Sequence, residues 1–133
     1  MSAQTLLSSG DKWYAYSGSI VGGVSVAATI PLITIPNTGL RDSYIDIQPI
    51  FGTLVSNAVG SSLGIEVKID DTVVLTCDQF SVTNWGGTQL STNQLLRYSL
   101  FVPRQSKLEV ISLNTSANNT QERGCNILGY YLP

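Results

Sequence analysis

A chain of 133 residues without a single histidine has no base for an ordinary serine or cysteine triad and no imidazole to complete a zinc site. Cysteine is nearly as scarce. Cys77 and Cys125 are too few for a disulfide scaffold, and their separation matches no metal motif. Each shares parity with aliphatic neighbours, Val73 and Leu75 for the first and Ile127 for the second, which predicts two buried free thiols. Charge is the next shortage. Seven Lys+Arg and nine Asp+Glu make up 12% of the chain and leave a net charge of -2, about half the usual charged share. Seven scattered cations cannot neutralise a run of phosphates, so no nucleic-acid partner is expected.

Between Lys12 and Arg41 there is no charge at all. That length permits a membrane span, with Trp13, Tyr14 and Tyr16 at one end as an aromatic belt. The contents argue against it: Ser17, Ser19, Gly22, Gly23, Ser25, Thr29 and Thr34 dilute the apolar residues, and Pro31 and Pro36 interrupt them. No membrane partner is expected. The opening MSAQTLLSSGDK has no basic residue before Leu6-Leu7 and does not read as a secretory signal; the sequons at Asn114 and Asn118 then carry no weight.

What replaces charge is Ser, Thr, Asn, Gln and Gly, beside an ordinary hydrophobic share of 43%. The resulting surface is polar but weakly charged. Little charge means little electrostatic resistance to association, which points to a protein that lives inside an assembly.

The periodicity is that of strands. In GIEVKIDDTVVLTCD, Ile65, Val67 and Ile69 alternate with Glu66, Lys68 and Asp70, and Asp70-Asp71 occupies the place of a tight hairpin turn. Further strands are predicted over residues 12–19, 24–35, 43–51, 73–80, 97–102, 107–114 and 125–132, separated by Gly, Asn, Ser and Pro clusters. About eight strands at this spacing predict an all-β fold, an antiparallel β-sandwich. The one short helical candidate is residues 91–96, opening with Ser91 and Thr92 as caps. Residues 1–12 read as an N-terminal arm and 13–133 as one domain.

Three segments carry apolar residues on both parities. In TIPLITIPNTG the apolar character moves from Ile30 and Leu32 to Ile33 and Ile35, so the strand either bulges or is covered on both faces. Its prolines confine it to a sheet edge or a bend. LEVISL opposes Leu108 and Val110 to Ile111 and Leu113; ILGYYL opposes Ile127 and Tyr131 to Leu128, Tyr130 and Leu132. Coverage by a neighbouring subunit or a shell makes Ile33, Ile35, Ile111, Leu113, Tyr130 and Leu132 candidate contact residues.

Chemistry-bearing motifs are few. Asp46, Glu66, Asp78 and Glu109 are carboxylates of the kind a glycosidase pairs, yet each also fits as an outward strand residue and nothing singles out a pair. No catalytic residue, metal site or cofactor is expected. Asp70-Asp71 lacks the further oxygen ligands of a calcium loop and reads as a turn. In TNWGGT, Trp85 beside two glycines either presents its ring to a sugar or protein partner or folds back over the open end of the sandwich.

LFVPRQSKLEVISLN, residues 100–114, followed by CNILGYYL, residues 125–132, resembles the closing strands of the jelly-roll domains of small phage virion proteins, including head decoration or cement proteins. The pattern covers about the last quarter of the chain and transfers no functional residue. The resemblance implies a jelly-roll-like sandwich in the virion: a non-enzymatic, trimeric subunit that binds the major capsid protein or another virion protein. The rival is a carbohydrate-binding or receptor-binding module with Trp85 and Tyr98 as stacking platforms.

Overall fold

The computed structural model describes residues 5–9, 11–18, 29–51, 61–85, 88–91, 97–114 and 123–133. Among these there are ten strands and no helix: β1 (Thr5–Ser9), β2 (Lys12–Tyr16), β3 (Thr29–Ile35), β4 (Ser43–Phe51), β5 (Ser61–Ile69), β6 (Thr72–Trp85), β7 (Thr88–Ser91), β8 (Tyr98–Val102), β9 (Leu108–Asn114) and β10 (Arg123–Tyr131). They form two five-stranded antiparallel sheets, β1-β2-β10-β4-β8 and β3-β9-β5-β6-β7. With the outermost β1 and β7 set aside, the chain passes from β2 in the first sheet to β3 in the second, β4 in the first, and β5 and β6 in the second. It then returns through β8, β9 and β10, changing sheet each time. That order, β2-β10-β4-β8 facing β3-β9-β5-β6, is the wrapping of a jelly roll.

The core follows from alternation. Trp13 and Ala15 of β2, Ile45 and Ile47 of β4, Val102 of β8, and Cys125 and Ile127 of β10 point inward from the first sheet. They meet Ile65 and Val67 of β5 and Leu108 and Val110 of β9 from the second. Period two puts every other side chain on the inner face, and the same rule leaves Tyr44, Asp46 and Gln48 on the outer one.

Proline and glycine fall where a ladder tolerates them. β3 is an edge strand, and its pairing with β9 slips between Pro31 and Ile33. The parity switch in TIPLITI is therefore a β-bulge: Leu32 is the extra residue, and Leu32 and Ile33 both turn inward. This corrects the contact reading for two residues. Ile33 is 1% exposed and Ile35 6%, both inside the core of the single chain, with no side-chain surface to offer a partner. Pro49 lies two residues beyond the last described β4–β8 pair, Ile47↔Tyr98, so its missing N–H interrupts no described ladder on that side. Gly129 lies opposite Trp13, and the indole packs directly over its Cα.

Two strands were not expected. Thr5–Ser9, inside the region read as an arm, pairs with β2 from Thr5↔Tyr16 to Ser9↔Lys12. Thr88–Ser91 pairs with the end of β6, with Trp85 opposite Thr88. In each case a Gly-containing dipeptide, Gly10-Asp11 or Gly86-Gly87, stands between the paired ends, a hairpin signal in the sequence itself. Ser91, the first residue of the helical candidate, ends β7, and residues 92–96 lie outside those described.

One end of the sandwich is fastened by side chains. Asp70 and Asp71 adopt φ of 49° and 66° between the paired Ile69 and Thr72, the left-handed pair of a type I′ hairpin. Asp70 Oδ1 accepts from Lys107 N at 2.9 Å, and Asp71 meets Lys107 Nζ at 3.2 Å. These carboxylates serve the turn and its neighbour. Thr38 Oγ1 donates to Pro103 O at 3.0 Å and accepts from Ser106 N at 3.1 Å. Arg41 reaches Leu132 O through Nε and Nη2, at 3.2 and 3.0 Å, while Nη1 meets Asp11 at 3.1 Å.

Candidate interaction surface

The outer face of the first sheet is built by register. Lys12 lies beside Tyr130, Tyr130 beside Tyr44, and Tyr44 beside Phe101, one row crossing β2, β10, β4 and β8. The next row is Tyr14, Leu128, Asp46 and Ser99; the third is Tyr16, Asn126 and Gln48. Neighbouring residues in a row stand about 4.5–5.5 Å apart at Cβ, so side chains separated by tens of residues in the chain form one surface.

The first row is aromatic and exposed: Tyr44 at 52%, Phe101 at 45% and Tyr130 at 39%. Tyr44 and Phe101 meet edge to face, with ring centroids 5.8 Å apart and planes at 70°. Lys12 Nζ lies 5.8 Å from the Tyr130 ring centre, close enough for a cation–π contact. The second and third rows border a groove of about 210 Å³ lined by Tyr14, Tyr16, Asp46, Gln48, Asn126 and Arg97, among others. Arg97 immediately precedes β8, beside the stretch of β4 that β8 does not cover. Asp46 Oδ1 accepts from Ser99 Oγ at 2.6 Å, which fixes the carboxylate plane on the sheet.

The opposite face, on the second sheet, carries Pro31, Ile111 and Leu113 in adjoining rows, with Ile111 and Leu113 half-buried. Glu109 and Glu66 are outward there too. Glu109 meets Lys107 Nζ at 3.3 Å, and Glu66 meets Lys68 Nζ at 3.7 Å. Val73 and Val74 at the start of β6 are exposed.

The contact residues predicted from the sequence thus separate. Tyr130 is on one outer face, Ile111 and Leu113 on the other, and Ile33 and Ile35 in the core. Leu132, half-buried, follows β10, its N–H bonded to Asp42 O at 2.8 Å. Trp85 ends β6; its side chain lies outside the described residues, as do those of Asp78 and Cys77. Tyr98, the second stacking candidate, packs against the core. Sequence reasoning missed Tyr44, Phe101, Tyr14 and Tyr16. Alternation in SYIDIQ marks Tyr44 as outward, but no local signal reveals that it neighbours Phe101 and Tyr130.

Two interior groups carry perturbed chemistry. Cys125 is free and buried, and burial pushes its thiol up to about 12. Arg123 is 1% exposed; its Nη1 donates to Ser112 Oγ at 2.9 Å, joining the two sheets through the core. Burial lowers the guanidinium to about 10, so it remains charged at neutral pH. Among the described residues no group of three His, Cys, Asp or Glu side chains is placed to hold a metal ion.

No protein-family model and no curated protein matches the chain. Among solved structures, the infectious bursal disease virus VP2 subviral particle is similar at a TM-score of 0.49 and 15% identity, over 89% of this chain and 33% of that one. Dimeric latent PorU from Porphyromonas gingivalis is similar at 0.50 and 8% identity, over 98% of this chain and 14% of that one. The chain spans about a third of the VP2 structure and a smaller part of PorU. At 8% identity the likeness to PorU is one of fold alone, in keeping with the two-sheet sandwich already read from strand order.

Proposed function

We propose that this chain is a structural subunit of a virus particle and, more specifically, a bacteriophage head decoration protein that forms a homotrimer and binds the shell. The observation that carries the reading is the exposed aromatic row Tyr130, Tyr44 and Phe101 across three adjacent strands of a weakly charged jelly roll. Large aromatics gathered on a surface with few charges favour a protein contact, because their burial is worth more than a few displaced waters cost. This row takes a second copy of the chain. The smaller apolar strip of Pro31, Ile111 and Leu113 on the other face is the surface left for the shell.

Native mass in solution tests the self-association. The wild-type protein is expected at a multiple of 14.3 kDa, three-fold for the trimer. Tyr44→Asp combined with Phe101→Asp is expected to reduce it to a folded monomer with an unchanged strand spectrum. A wild-type protein that stays monomeric at high micromolar concentration, or a double variant that keeps its multimeric mass, overturns the proposal.

A further inference from the structure

The geometry points to a saccharide-binding groove on the outer face of the first sheet, between Tyr14 and Tyr16 on one side and Asp46, Gln48, Asn126 and Arg97 on the other, taking a neutral hexose or N-acetylhexosamine residue. This goes beyond the structural role above and does not depend on it, since the aromatic row and the groove occupy different rows of the sheet.

A sugar ring has an apolar face of C–H groups and a rim of hydroxyls, each both donor and acceptor. Both halves have counterparts here. Tyr14 and Tyr16 stand two residues apart on β2, so they project from the same face, about 6.6 Å apart along the strand. Their rings supply apolar area with a hydroxyl at the tip. Across from them Asn126 pairs with both Tyr16 and Gln48 in register, which sets two amides side by side. A planar amide can donate to one sugar hydroxyl while accepting from the next. The Asp46 carboxylate is held through Oδ1 by Ser99, leaving Oδ2 as an acceptor, and Arg97 brings donors only. Half-buried Leu128, between Tyr14 and Asp46 in register, gives the groove an apolar floor.

The shape agrees with the chemistry. About 210 Å³ is small beside the few hundred to a thousand Å³ of pockets for drug-sized ligands, and suits one or two sugar rings. Anionic ligands fit less well, because among the described residues Arg97 is the only cation lining the groove and the Asp46 carboxylate lines it too. Among the described residues the pairing of β8 with β4 ends at Ile47↔Tyr98, and Arg97, just before β8, lines the groove together with Gln48.

The test is amide chemical-shift titration of the whole protein with methyl glycosides of glucose, galactose, mannose and N-acetylglucosamine, one at a time. At least one is expected to give saturable shifts clustered on residues 14–16, 46–48 and 126–128. Tyr16→Ala and Gln48→Ala, each with wild-type dispersion elsewhere in the spectrum, are expected to weaken that binding at least tenfold. Trp85→Ala should leave it unchanged. No saturable shift with any of the four, shifts centred on another surface, or binding that survives both groove substitutions overturns the inference. Native mass is read separately, so failure of the groove and failure of the self-association are distinguishable.

Discussion

Adding one methyl group at Gly129 separates what strand propensity expects from what packing dictates. Glycine in a strand interior costs about 0.5–1 kcal/mol relative to alanine through backbone entropy, so on propensity alone Gly129→Ala should stabilise the protein. The structure reverses the sign. Gly129 is buried on β10, opposite Trp13 on one side and Ile45 on the other. A Cβ there would stand 2.6 Å from Trp13 Cδ2 and nearer still to Cε2 and Nε1. The indole is 2% exposed, and the cavity of about 20 Å³ beside it is too small to receive a displaced ring. Overpacking of this kind costs about 1–3 kcal/mol, which exceeds the propensity gain.

Urea unfolding followed by far-UV circular dichroism, at fixed protein concentration because self-association shifts apparent stability, should show the loss. With m about 2 kcal/mol/M, a net 1–2 kcal/mol moves the midpoint down by about 0.5–1 M. Trp13→Leu will itself be destabilising through the cavity it leaves. In that background, however, Gly129→Ala should cost much less or become stabilising, since residues in contact are non-additive. A Gly129→Ala variant as stable as wild type, or one that costs the same in both backgrounds, would refute the close packing of Trp13 on Gly129.

Two further expectations follow from burial. In the native protein Cys125 should resist alkylation at pH 8 and react only after denaturation, because desolvation pushes its thiol from 9.0 up to about 12 and the thiolate is the nucleophile. The unfolded chain loses that proton first, so this group's contribution to stability is intact below about pH 9 and is lost as pH rises towards 12; alkylation at pH 8 under native conditions would sink the assignment. Ile33→Asp should fail to fold, since it places an uncompensated carboxylate in the core at a site 1% exposed. A soluble, fully strand-rich Ile33→Asp protein would show that the bulge does not bury this side chain.

The sequence by itself determined the class of fold and much of its interior. Period-two alternation in GIEVKI and SYIDIQ requires one wet face and one dry face, Asp70-Asp71 marks the hairpin, and the prolines of TIPLITIP confine that segment to an edge. These are local properties, set by residues within a few positions of one another. The sequence also left the parity switch at Leu32 and Ile33 open between a bulge and a second covered face, because both give the same string of apolar residues. Only pairing with β9, about 80 positions further along the chain, decided for the bulge and moved Ile33 and Ile35 into the core. The surface was decided the same way. Tyr44 meets Phe101 and Tyr130, and Asn126 stands between Tyr16 and Gln48, through strand register. Register is a property of two strands together, fixed when both bury their apolar faces at once, and no single segment carries it.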